Sequence, residues 1–140
     1  MEENAPDSAI KVRLVITSDS LPPKTISDLL GVVPTKTWLR GETVHTKATN
    51  VHKENGWVLS LEGLSGELIA ERIIDRLIAL VPQGRLAALY KQHQGSIAVE
   101  LSIVTYVSGS EPTPSISLTQ AQVAFLADCG GTFDVDMYLR

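Results

Sequence analysis

The chain has 140 residues, a net charge of −4, 44% hydrophobic and 20% charged residues, and a single cysteine. That size and balance describe one globular domain with its own core. They exclude a nucleic-acid footprint, since there is no basic run, a membrane span of about 18 apolar residues, and an internal disulfide framework.

Residues 1–9 are expected to form a disordered lead-in to a single α+β domain over 10–140. The acidic start Met1-Glu2-Glu3-Asn4 has no apolar stretch of the secretory kind, so the expected compartment is the cytoplasm. Ile10–Thr17 alternates apolar and polar residues, the pattern of a half-buried strand. Leu21-Pro22-Pro23 opens a short helix with Ile26, Leu29 and Leu30 inward, and Gly31 ends it. Val33–Arg40 is a weaker strand that Pro34 confines to an edge. The polar stretch Gly41–Asn55 reads as a long loop, either functional or mobile.

Gly56–Glu62 is a central strand with Trp57, Leu59 and Leu61 on one face. Helical spacing then takes over across Glu67–Val81. It places Ile69, Ile73, Leu77, Leu80 and Val81 on one arc, flanked by Ala70 and Ile74, with Ser65 as the candidate N-cap. Pro82 stops this helix, and a second, Arg85–His93, carries Leu86, Leu89 and Tyr90 inward before Gly95. Ile97–Val107 is a strand whose Ala98, Glu100, Ser102, Val104 and Tyr106 face outward. After a Ser/Pro/Gly loop, Leu118–Asp128 forms a helix with Val123, Leu126 and Ala127 inward. Phe125 lies off that side, where it either fills a seam between helices, the favoured reading, or is exposed and marks a contact. Thr132–Leu139 closes the chain as a strand with Phe133, Val135, Met137 and Leu139 inward.

The expected fold is a two-layer α+β domain. Its sheet is mixed, mostly antiparallel and of about five strands, with helices on one face. The strand–helix–strand order suggests a ferredoxin-like arrangement plus an extra helix and strand. Trp57, Leu59, Ile73, Leu77, Leu101, Ile103, Val135 and Met137 are the expected core. Val12, Leu14 and Ile16 with Leu21, Ile26 and Leu29 also match Val99, Leu101 and Ile103 with Leu118, Val123 and Leu126, a faint internal repeat.

The string Pro34-Thr35-Lys36-Thr37-Trp38-Leu39-Arg40-Gly41, then Gly56-Trp57, then the helix opening Ser117-Leu118-Thr119 and the closing Asp134-Val135-Asp136-Met137-Tyr138 resembles a bacterial family known as domain of unknown function 4279. The resemblance runs from Val12 to Tyr138. It implies a bacterial single-domain α+β protein and brings no catalytic residues with it.

No motif specifies an activity. His45 and His52 stand seven apart on a polar loop, and His93 falls on the packed arc of its helix, so no zinc pattern forms and no metal or cofactor is expected. Cys129 at a helix C-terminus, with no adjacent base, reads as an inert thiol. Asp134 and Asp136 could together meet a hard cation, but their outward strand positions are polar by default. Trp38 and Trp57 flank the long loop and fit packing better than ligand stacking.

Two classes of function follow. One is a non-catalytic binding domain that recognises a protein partner, for example a toxin, or a second copy of itself as a homodimer. The other is a small-molecule enzyme or ligand-binding protein with its site at 41–55, using His45 or His52 as acid or base. The lack of a converging acid–base set favours the first. Its docking surface would be the sheet face away from the helices, with Tyr106, Tyr138, Asp134 and Asp136 as candidate contacts.

Overall fold

Residues 7–45, 49–82, 84–109 and 112–140 are described by a computed structural model. Alternation builds the sheet: β1 (Ala9–Ser18), β3 (Asn55–Glu62) and β4 (Ile97–Val107) each turn every second side chain toward the helices. The other elements are α1 (Pro23–Leu30), β2 (Lys36–Trp38), α2 (Ala70–Ala79), α3 (Arg85–Gln92), α4 (Gln120–Asp128) and β5 (Thr132–Leu139). The strand order is β2-β3-β1-β4-β5. β1 runs antiparallel to β3 and β4, β2 antiparallel to β3, and β5 parallel to β4. The first four strands with α1 and α2 make the ferredoxin-like arrangement, and α3, α4 and β5 are added to it, one helix more than expected.

One cluster joins Ile10, Val12, Leu14 and Ile16 of β1 to Trp57 and Leu59 of β3 and to Val99, Leu101 and Ile103 of β4. The same cluster takes in Ile26, Ile73, Leu77, Leu89 and Leu126 from all four helices. The helices therefore share one side of the sheet. Burial of six of the eight expected core residues follows from this geometry.

Helix rotation departs from the sequence reading in three places. In α1, Ile26 and Leu30 are buried but Leu29 is exposed. α2 begins at Ala70 rather than Glu67, because Ala70 N–H donates to the Ser115 carbonyl at 2.9 Å and Ser115 N–H to that of Leu68 at 2.7 Å. These bonds hold Ile69 extended, so Ser65 caps nothing. The buried arc recentres on Ala70, Ile73, Ile74, Leu77 and Val81, leaving Ile69 and Leu80 exposed.

In α4, Thr119 and Gln122 form a capping box, each side chain accepting from the other's backbone N–H. The Gln122 amide then donates to the Glu71 carbonyl and to Asp75 Oδ1, both at 2.8 Å. Tied to α2 in this way, α4 buries Gln122, Leu126 and Cys129 and exposes Val123 and Ala127, against expectation. Phe125 is half-buried and packs against the core.

The larger correction is β5. Its apolar residues stand beside Leu101, Ile103 and Thr105, so they do point to the helix side. Yet Phe133 is 40% exposed, Val135 37%, Met137 59% and Leu139 84%. Val135 and Met137 are not core. β5 lies beyond the reach of the helical layer, and both of its faces meet solvent.

Residues 1–6 of the expected lead-in lie outside the described residues. Asp7 and Ser8 are described, and Ser8 is buried, its hydroxyl accepting from Ser108 N–H at 2.8 Å. The described residues of the 41–55 stretch, 41–45 and 49–55, are more ordered than their composition suggests. Thr43 bridges Val51, Val44 N–H donates to Asn50 and His52 N–H to Glu42. It extends the β2–β3 hairpin.

Candidate functional site: the uncovered sheet face

The face away from the helices is laid out by strand register. One row reads Ser60, Arg13, Ser102, Asp134, and the next Glu62, Lys11, Val104, Asp136. A third runs Lys36, Val58, Val15, Glu100. Cations thus gather over β1 and β2, while Glu100, Asp134 and Asp136 make the β4–β5 side acidic. Val58 and Val104 are buried even though they lie on the face away from the helices.

Aromatic groups occupy two corners. At the first, the Trp38 ring lies on Gly56 and stacks on His52, with centroids 4.6 Å apart and planes 17° from parallel. A Cβ at position 56 would stand 1.9 Å from that ring, so glycine is required there. The Lys36 ammonium sits 5.8 Å from the ring centroid. The backbone beneath is pinned by Asn55, which accepts from Arg40 N–H at 2.8 Å and donates to the Leu21 carbonyl at 3.0 Å. At the opposite corner Tyr106 and Tyr138 stack at 5.6 Å, and the Arg140 guanidinium lies 4.2 Å from the Tyr106 centroid. Arg140 also donates to the Asp7 carbonyl at 2.8 Å.

The sequence-singled residues therefore fall into two groups on one face. Trp38 and His52 meet at one corner. Tyr106 and Tyr138 meet at the other, with Asp134 and Asp136 following along β5. His45 stays apart, exposed on the hairpin extension. Among the described residues neither imidazole of this hairpin bonds a carboxylate, and no group of three or more His, Cys, Asp or Glu is placed to hold a metal ion. Sequence reasoning missed Arg140, which carried no periodic signal at the chain end. It also missed Gln122, although Thr119-x-x-Gln122 has capping-box spacing.

On the helix side, a cleft of about 690 Å³ runs between α2, α3 and α4, lined by Ile78, Val81, Leu86, Phe125 and Cys129, with Asp128 its single charged group. Burial pushes the Cys129 thiol pKa up. Among the described residues this cleft lacks the convergent polar groups of a ligand site. Among the described residues no nucleophile and base are paired on the open face, whose resources are charge of both signs, aromatic area and hydrogen-bonding groups.

Fold and site together define a two-layer, ferredoxin-like α+β domain with an open sheet face. The family model described as "Domain of unknown function (DUF4279)" matches residues 8–140, and the chain belongs to that family. No curated protein and no solved structure matches it. Among the described residues no helix is long and apolar enough to cross a membrane.

Proposed function

We propose that this chain is a non-catalytic recognition domain that docks a protein partner on its open sheet face. The supporting observation is the layout of that face: cations over β1 and β2, carboxylates over β4 and β5, and a stacked aromatic pair at each of two corners. Tyrosine and tryptophan offer apolar area with a polar edge, and split charge steers a partner of complementary pattern into one orientation. The setting this reading implies is the bacterial cytoplasm, and neutralising a toxin is one role of the kind.

The test is capture from the native host with the wild-type chain, the face variants Arg13→Glu and Tyr138→Ala, and the helix-side variant Leu80→Ser. A stoichiometric protein lost with either face variant and kept with Leu80→Ser supports the proposal. Retention by both face variants in folded protein contradicts it.

A further inference from the structure

We propose that β5 is a self-association edge, pairing antiparallel with β5 of a second copy about a twofold axis at Met137. This goes beyond the recognition reading, because it concerns the sheet's edge and needs no foreign partner.

The argument begins with hydrogen-bond direction. Arg140 N–H donates to the Val107 carbonyl at 2.9 Å, beside the Val107–Leu139 pair. In a parallel ladder, backbone groups alternate between the neighbouring strand and the open side. The even positions of β5 thus serve β4. Phe133, Val135, Met137 and Leu139 direct their N–H and C=O groups to the free edge. These same residues carry the exposed apolar stripe. One set of positions therefore offers both unpaired backbone and unburied hydrocarbon.

Among the described residues no segment covers this edge, and the charged side chains of β5, Asp134 and Asp136, lie on the open face. Exposed edge strands are ordinarily blunted by shortness, proline, lysine or a bulge. β5 has eight residues, pairs with β4 in unbroken register and contains neither proline nor lysine.

Charge then selects the occupant and the register. A twofold axis normal to the sheet keeps like faces together, so residues of the same parity oppose each other. Centring on Asp136 would set Asp136 against Asp136 of the second copy at the close spacing of a non-hydrogen-bonded pair, about 4.5 Å between Cα atoms. Centring on Val135 would set Asp134 against Asp136. Both registers put like charges face to face. Centring on Met137 sets Asp134 against Arg140 and Asp136 against Tyr138, with Val135 against Leu139 on the apolar side. A shift to Tyr138 also relieves the aspartates, but it gives up one backbone-bonded pair. The chain's own β5 is thus the charge-matched complement of β5. Arg140 is available for this pairing, since in the monomer it faces a ring and a carbonyl.

The product is a continuous sheet across two copies, with the stripe from each packed against the other and the open faces joined.

The experiment is light scattering and sedimentation of the full chain over a concentration series, with circular dichroism to establish folding. Wild type is expected to form a dimer of twice 15.1 kDa. Met137→Pro removes a donor that β4 does not use, so it should fold and remain monomeric. Asp134→Arg sets arginine against Arg140 and should weaken the dimer roughly tenfold. Arg140→Asp sets aspartate against Asp134 and should do the same, while the double swap restores association. A wild-type monomer up to several hundred micromolar, or a dimer that persists in folded Met137→Pro, overturns the proposal. Failure of the double swap to restore what each single change lost overturns the register. None of these outcomes bears on whether a foreign protein binds the open face.

Discussion

At one edge of the sheet β2 contributes three residues, preceded by Pro34 and carrying Lys36, with Trp38 laid over Gly56 and stacked by His52. At the other edge β5 contributes eight residues with no such device, and its apolar side chains stand in water. Both strands border the same sheet and share the same open face, so the contrast lies in the edges themselves. A short edge made awkward by proline and lysine offers little to another strand, whereas a long, regular, apolar one is a template for pairing. Among the described residues nothing in the monomer covers β5, which leaves its edge open to a partner strand. A second copy of β5 is the partner we propose for it.

The comparison is broken most severely through stability. Leu101 and Phe133 are neighbours across the β4–β5 ladder, yet only Leu101 is fully buried. Leu101→Ala should cost about 2–5 kcal/mol, as for a core cavity. Met137→Ala in dilute, monomeric protein should stay within about 0.5 kcal/mol of wild type. Denaturant unfolding measures both, and a core-sized loss at Met137 would mean that β5 is covered within the monomer. A smaller effect is expected at the protected edge. Gly56→Ala must move the Trp38 ring off its seat, a steric cost of about 1–3 kcal/mol. The same change should alter tryptophan emission, and an unchanged spectrum and stability would deny the packing that shields β2.

The smallest effect separates monomer stability from events at either edge. Arg76 donates to both carboxylate oxygens of Glu67, at 2.8 and 2.5 Å, and this pairing holds the Glu67 pKa down at about 2, from an ordinary 4.5. A depressed carboxylate pKa means that the stabilisation is complete above pH 4.5 and is lost as pH falls toward 2. Glu67→Gln should remove that portion of the acid sensitivity and leave association at neutral pH unchanged. The two urea midpoints, followed against pH, should converge at the acid end.

Much of the fold is legible in the residues. The alternation in Ile10–Thr17, Gly56–Glu62 and Ile97–Val107 finds three strands and their inner faces, and Pro34 marks β2 as an edge. Helix rotation is less legible, because tertiary hydrogen bonds decide it. The Ser115 bridge delays α2, and the Gln122 clamp turns α4 so that Val123 faces out. The capping-box spacing at Thr119 and Gln122 was a usable signal for that cap. β5 exposes the limit of periodicity, which says which way Val135 and Met137 point but not whether a helix extends over them. The site is legible in part. Tyr106, Tyr138, Asp134 and Asp136 share a face by alternation alone, whereas the stacking of His52 on Trp38 depends on the hairpin extension. The place of Arg140 over the Tyr106 ring and beside the Asp7 carbonyl is set by tertiary contacts that no periodicity reveals.

Hydrogen exchange of individual amides, compared between dilute and concentrated protein, tests the edge account most directly. The even-numbered amides of β5 are bonded to β4 and should be protected at both concentrations. Those of Val135, Met137 and Leu139 should exchange freely when dilute and slow markedly when concentrated, while Thr37 on β2 does not change with concentration. Odd-numbered β5 amides that exchange at one rate throughout would contradict the account.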